Sequence, residues 1–247
     1  MGELLSILGK EDFYFAMLRT ATPVLLTTLG AMTASRAGVS NIALEGTMLF
    51  AAFFGVIVSA FSQSALLGFL AAVGIGLLIS LLLSYFILEL HSNGILSGIA
   101  LNTLASGGTI FLLFLITGEK GASTSLHSLK LPALNIPLIE NIPFVGKILS
   151  GQHILTYASL ILVFVIAILF KKSRLGMEII AVGENPEAAE SLGISVKGVK
   201  RTALLISGAL TGMAGAFLSM GYVGLFSAGM TAGRGYIALA TQAIAGG

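Results

Sequence analysis

Six long apolar runs, at about residues 15–33, 49–61, 65–90, 94–117, 154–170 and 202–224, alternate with polar interruptions along the chain. Several reach the roughly 20 residues that a helix needs to cross the hydrocarbon of a bilayer. None shows the weak alternation of a membrane barrel strand, so the pattern predicts an all-α, polytopic transmembrane bundle of about six spans. The interruptions differ in kind. RAGVSNIALEG, residues 36–46, is polar and glycine-bearing: either a cytoplasmic loop or the break in a discontinuous helix lining a pathway. Residues 62–64 make a tight turn, and residues 118–153, with Pro132, Pro137, Pro143 and three lysines, read as an external loop with room for a short interfacial piece.

Composition agrees with the pattern. The 247 residues are 56% hydrophobic and 10% charged, against roughly 25% charged in a soluble domain. The net charge of +2 is spread over loops that flank the apolar runs, which gives no basic face for nucleic acid. Zero cysteines exclude disulfides, thiol catalysis and thiolate metal sites. The start, MGELLSILGKEDF, lacks the cationic region and cleavage site of a removable signal peptide. Arg19, close to a helix end, reads as snorkelling to the headgroups.

Charge is concentrated in residues 171–201, KKSRLGMEIIAVGENPEAAESLGISVKGVKR, which hold six of the thirteen Lys and Arg and four of the eleven acids. By the positive-inside rule this segment is cytoplasmic. Counting back through single crossings places residues 62–64 outside, residues 36–46 at the cytoplasmic side or dipping inward, and the acidic N-terminus outside. Within the segment, Asn185 suits a helix cap and Pro186 a first helical position; Glu187 and Glu190 suit the positive end, and Gly193 a stop. A sharply bounded, exposed helix of about two turns follows. It reads as a handle by which a soluble partner moves the membrane helices.

The fourth run carries a polar face. Asn102, Ser106 and Thr109 recur at i, i+4 and i+7, with Thr103 beside them. In lipid such groups either bond to neighbouring helices or line a wet route. The sixth run holds Gly208, Gly212, Gly215 and Ser219, a small face suited to close helix packing. The last apolar run, from Tyr236, is too short to span, so the end either re-enters against other helices or is cut short, and the second is the expectation. LLTTLGAMTASRAG…IALEG also echoes LLISGALTG…GRGYIAL in runs of opposite direction, as an inverted repeat requires.

AVGENPEAAESLGI with its basic flanks, RAGVSNIALEGTML, ALNTLASGGT and MTAGRGYIALA together resemble the membrane subunit of ABC importers in the branched-chain amino acid, ribose and nucleoside permease family. The likeness covers residues 15 to the end and is strongest to bacterial nucleoside permeases that work beside a lipoprotein. It implies one transmembrane permease domain over residues 1–247, truncated at its C-terminus, in the bacterial cytoplasmic membrane. It also implies a second permease subunit, as a heterodimer, a substrate-binding lipoprotein outside, and an ABC ATPase that binds ATP and Mg, so this chain itself holds no cofactor. The resemblance makes 171–201 a coupling loop, with Gly183, Glu184, Asn185, Pro186, Glu187, Ala188, Ala189, Glu190 and Gly193 at the ATPase. Ile179 and Ile180 stand where members often carry a basic residue.

Enzyme chemistry lacks its residues. There is one aspartate, Asp12, three scattered histidines, and no phosphate-binding loop, HExxH or GxSxG. An intramembrane enzyme needs paired carboxylates or a nucleophile and base, and an ion-coupled carrier needs buried acids or histidines; neither pattern is present. The candidate pathway is Asn41, Glu45, Phe50, Asn102, Thr103 and Ser106, between the second and fourth elements. Phe50, Phe53 and Phe54 offer either stacking surface for a nucleoside or ordinary packing. Sugar or branched-chain amino acid transport is the alternative within the family, and an ion-coupled secondary transporter the alternative outside it.

Overall fold

A computed structural model describes residues 11–134 and 150–245. The N-terminal ten residues, and residues 135–149 with Pro137 and Pro143 and any interfacial piece there, lie outside the described residues. Six helices long and apolar enough to cross a membrane are present among the described residues. They are α1 (Glu11–Arg36), α2 (Leu44–Ser62), α3 (Ala65–Leu88), α4 (Gly94–Thr117), α5 (Ile154–Lys172) and α8 (Val196–Ala216), the last running on as a π-helical stretch, Phe217–Val223. Between α5 and α8 stand two short helices, α6 (Arg174–Glu184) and α7 (Pro186–Ser191), and α9 (Arg234–Ile244) follows the sixth span.

The ends of the bundle sort as the charge argument requires. One end gathers the α1–α2 turn, the α3–α4 turn and the charged segment: Gly38 lies against Gly183, and Glu89 bonds Lys197 and Arg201. The other end gathers the external loop, where Leu129 bonds the Ser59 hydroxyl, Leu131 the Met220 carbonyl and Ser123 the Phe226 carbonyl. Successive spans therefore cross in alternate directions.

The core is packed backbone to backbone. Gly76 of α3 faces Gly208 and Gly212 of α8, where a Cβ would overlap the Gly208 carbonyl, and Gly215 seats against Met48 and Ala51 of α2. The small face of the sixth run thus serves two crossings at once. Without a hydrophobic force between helices in lipid, such close approach is what dispersion attraction requires. Phe53, Phe217 and Phe226 fill the external half, with Phe53 edge-on to Phe226 at 5.1 Å between centroids.

Two elements depart from the sequence reading, and the tail takes the re-entrant course that the sequence leaves open. Helix α2 begins at Leu44, five residues before the apolar run and two before the start that Glu45 suggests at about Gly46, and so takes in Glu45 and Gly46. Residues 171–201 are mostly helical: Lys171 and Lys172 finish α5, α6 occupies Arg174–Glu184, and Val196 already opens α8. The capping residue Ser173, whose hydroxyl accepts from the Gly176 amide at 3.0 Å, explains the added helix. Beyond the π-helical stretch, residues 224–233 turn back into the bundle, and α9 packs along α1 with Gln242 bonded to Ser35 near its cytoplasmic end.

Candidate functional site

The cytoplasmic knob is built from its caps. The Asn185 side chain accepts from the Ala188 amide at 3.0 Å, Pro186 holds the first position of α7, and Gly193 closes the turn at φ +81. Glu184, Asn185, Pro186, Glu187, Ala188, Glu190 and Gly193 are exposed, and Leu192 is 80% exposed at the helix end. Ala189 points the other way. It enters a small apolar cluster with Ala37, Ile179, Val182, Val199 and Ala203, which ties α7 to α6, to the end of α1 and to the start of α8. Gly183 lies so close to the end of α1 that a Cβ there would overlap the Arg36 carbonyl. Packed groups therefore connect the knob to two spans.

Glu89 fastens the same end. Its carboxylate accepts from Arg201 at 2.7 Å and from Lys197 at 3.2 Å. The Lys197 hydrogen bond and charge, with the Arg201 charge, hold it below the usual carboxylate value.

The second site lies where α2, α4 and α9 meet. Neither α2 nor α9 has a side chain of its own at the cap position. Each start is satisfied from elsewhere. The Asn102 carbonyl oxygen on α4 accepts from the Gly46 amide at 2.7 Å, while its amide nitrogen donates to the Ile42 carbonyl at 2.9 Å and to the Tyr236 hydroxyl at 3.1 Å. The Glu45 carboxylate accepts from the Gly233 and Gly235 amides at 2.8 and 2.7 Å. Two helix N-termini, each carrying partial positive charge, thus converge on one acid.

Of the six residues predicted for a pathway, four share this place. Glu45, Asn102, Thr103 and Ser106 line a cavity of about 260 Å³, with Tyr236, Thr231 and Leu49. Asn41 and Phe50 do not line it. Asn41 is buried and bonds the Ser207 hydroxyl at 3.0 Å, pinning the 37–43 turn to α8. Phe50 is buried in the core, tilted against Phe54 and beside Gly108. Tyr236 and Leu192 are not among the residues that the sequence singles out: the run from Tyr236 is too short to span, and Leu192 belongs to no polar or capping pattern.

The chain is thus an α-helical, multi-pass membrane protein with a capped, exposed knob at one end and a polar junction between two helix starts. The chain belongs to the branched-chain amino acid transport system permease component family, whose model matches residues 13–247. It is 35% identical over 229 residues to a putative glucose ABC transporter permease of Haloferax volcanii, covering 91% of this chain and 68% of that one. It is also 35% identical over 236 residues to a nucleoside ABC transporter permease of Lactococcus lactis, covering 92% and 73%, and 34% identical over 232 residues to a guanosine ABC transporter permease of Bacillus subtilis, covering 91% and 72%. No solved structure matches. As an ABC permease subunit the chain is a transport component and not an enzyme, and it works with a separate ATPase subunit and a binding protein.

Proposed function

We propose that the chain forms half of the translocation pathway of a nucleoside importer in the bacterial cytoplasmic membrane, paired with a different permease subunit. The nucleoside reading is supported by the Lactococcus and Bacillus relatives; the Haloferax relative keeps a sugar as the second reading. The pathway runs along the face of α4 that carries Thr103 and Ser106, both exposed on this chain and open to a second subunit.

The observation that carries coupling is the packing beneath α7. Alternating access requires that ATP binding in another subunit rearrange membrane helices, and the Ala189 cluster with the Gly183–Arg36 contact provides a stiff connection from an exposed knob to α1 and α8. Exposed Glu187, Ala188 and Leu192 are the docking surface. Replacing Ala188 with Trp and Leu192 with Asp in the assembled importer is expected to leave the spans inserted and to abolish nucleoside-stimulated ATP hydrolysis. Normal stimulation with an intact complex overturns the reading. Ala189 is unsuited to this test, because a larger side chain there would disrupt the cluster itself.

A further inference from the structure

We propose that the cavity between α2, α4 and α9 is a solute subsite that accepts uncharged hydrogen-bonding groups and turns anionic ones away. This rests on reading the chain as a solute permease, and it narrows the solute class within that reading. The volume, about 260 Å³, lies below the range that encloses a whole drug-sized ligand, and suits one ring or one sugar at a time.

The walls define the chemistry. Having accepted from Asn102, the Tyr236 hydroxyl keeps its own proton to donate. The Thr103 and Ser106 hydroxyls donate to the Ile99 and Thr103 carbonyls of their own helix, at 3.0 and 2.9 Å, which leaves their lone pairs to accept. The lining thus offers a donor, two acceptors and an aromatic ring. It contains no Lys, Arg or His.

Two helix starts would ordinarily favour an anion. Here both carboxylate oxygens of Glu45 already accept from the two amides of α9, and the Asn102 oxygen holds the Gly46 amide of α2. An entering carboxylate would meet the Glu45 charge with no cationic side chain on the cavity wall, the nearby Arg234 guanidinium being engaged by the Met230 and Thr231 carbonyls, in surroundings where Coulomb repulsion is stronger than in water. A nucleoside or a sugar meets no such barrier, whereas the carboxylate of a free amino acid does. Glu45 acts as a positioning residue: it joins α9 to α2 and sets the sign of the potential.

The chain has no cysteine, so Ser106→Cys introduces a single thiol at the wall. Its modification is to be timed in the assembled importer with neutral, cationic and anionic methanethiosulfonate reagents, each rate divided by that with a free thiol in solution. The anionic reagent is expected to react about tenfold more slowly than the neutral one. Glu45→Gln, which keeps a carbonyl acceptor and removes the charge, should close most of that gap. Thr103→Cys reads the same cavity should the first variant fail to assemble. Equal rates for all three reagents, no reaction with any, or a gap untouched by Glu45→Gln overturns the proposal. A failure of coupling would instead appear as lost ATPase stimulation with these rates unchanged, so the two readings fail separately.

Discussion

Two short helices, α7 and α9, begin in opposite ways. Helix α7 is capped from one residue before its start, by Asn185, in full exposure. Helix α9 is capped by Glu45, separated from Gly233 and Gly235 by 188 and 190 positions, in a half-buried junction. A local cap holds the shape of one element. A distant cap decides where an element sits, and here it joins the returning tail to the start of α2. Damage to the first should alter a surface, and damage to the second should alter the assembly of the bundle.

The largest effects therefore belong to the junction. A Cβ at Gly235 would lie 2.6 Å from the Glu45 backbone nitrogen, and the obstruction is backbone that cannot turn aside. Gly235→Val is expected to cost about 3 kcal/mol or more, as overpacking at a rigid contact does, and to show as a clear fall in the unfolding temperature of the purified protein. Glu45→Ala should follow closely, at about 2–4 kcal/mol, because two amides of α9 lose a charged acceptor together. If Gly235→Val and Glu45→Ala melt with the wild type, α9 is not held by this junction. Asn102→Leu should cost about 1–3 kcal/mol by leaving the buried Gly46 amide without its acceptor, and the same melt measures it.

The contrast also explains which parts were legible. The spans followed from apolar run length, which is a property of contiguous residues. The α7 cap was legible because Asn185, Pro186 and Gly193 are neighbours whose preferences are local. The beginning of α2 was not. Glu45 suits a first turn and points to a start at about Gly46, but Ala43 supplies no cap and the acceptor for Gly46 sits on Asn102, so the start at Leu44 itself was not legible. Asn102 itself was read as facing inward, with bonding and pathway lining both open; the structure gives it three hydrogen bonds and a place on the cavity wall. The two echoing motifs, read as a sign of an inverted repeat, turn out to supply the two helix starts that meet, IALEG for α2 and GRGYIAL for α9.

At the exposed pole the expected change is smaller. Asn185→Ala removes the acceptor for the Ala188 amide, worth about 1 kcal/mol to α7. The melting temperature of the bundle should scarcely move, since α7 unravels locally while Ala189 loses its seat. ATPase stimulation should fall, and Asn185→Ser should restore it by supplying another capping oxygen. A large drop in melting temperature for Asn185→Ala, matching that of Glu45→Ala, would erase the distinction between local and distant caps.

Glu89 tests which property of the junction matters, distance along the chain or burial. It is as far from its partners as Glu45 is in kind, 108 and 112 positions from Lys197 and Arg201, yet it stands in water. Exposed ion pairs contribute little and are screened by salt. Because the folded pKa of Glu89 is depressed, chiefly by Lys197, its contribution is present above the ordinary value of 4.5 and is lost as pH falls through the lowered folded value. Melting curves of the wild type and Glu89→Gln should therefore differ slightly at pH 7 and low salt, converge as the pH falls through the lowered carboxylate value, and nearly coincide at high salt. A gap as wide as that of Glu45→Ala, or one that persists in acid, would show that a distant pair stabilises this fold whether or not water reaches it, and burial would no longer separate the junction from the surface.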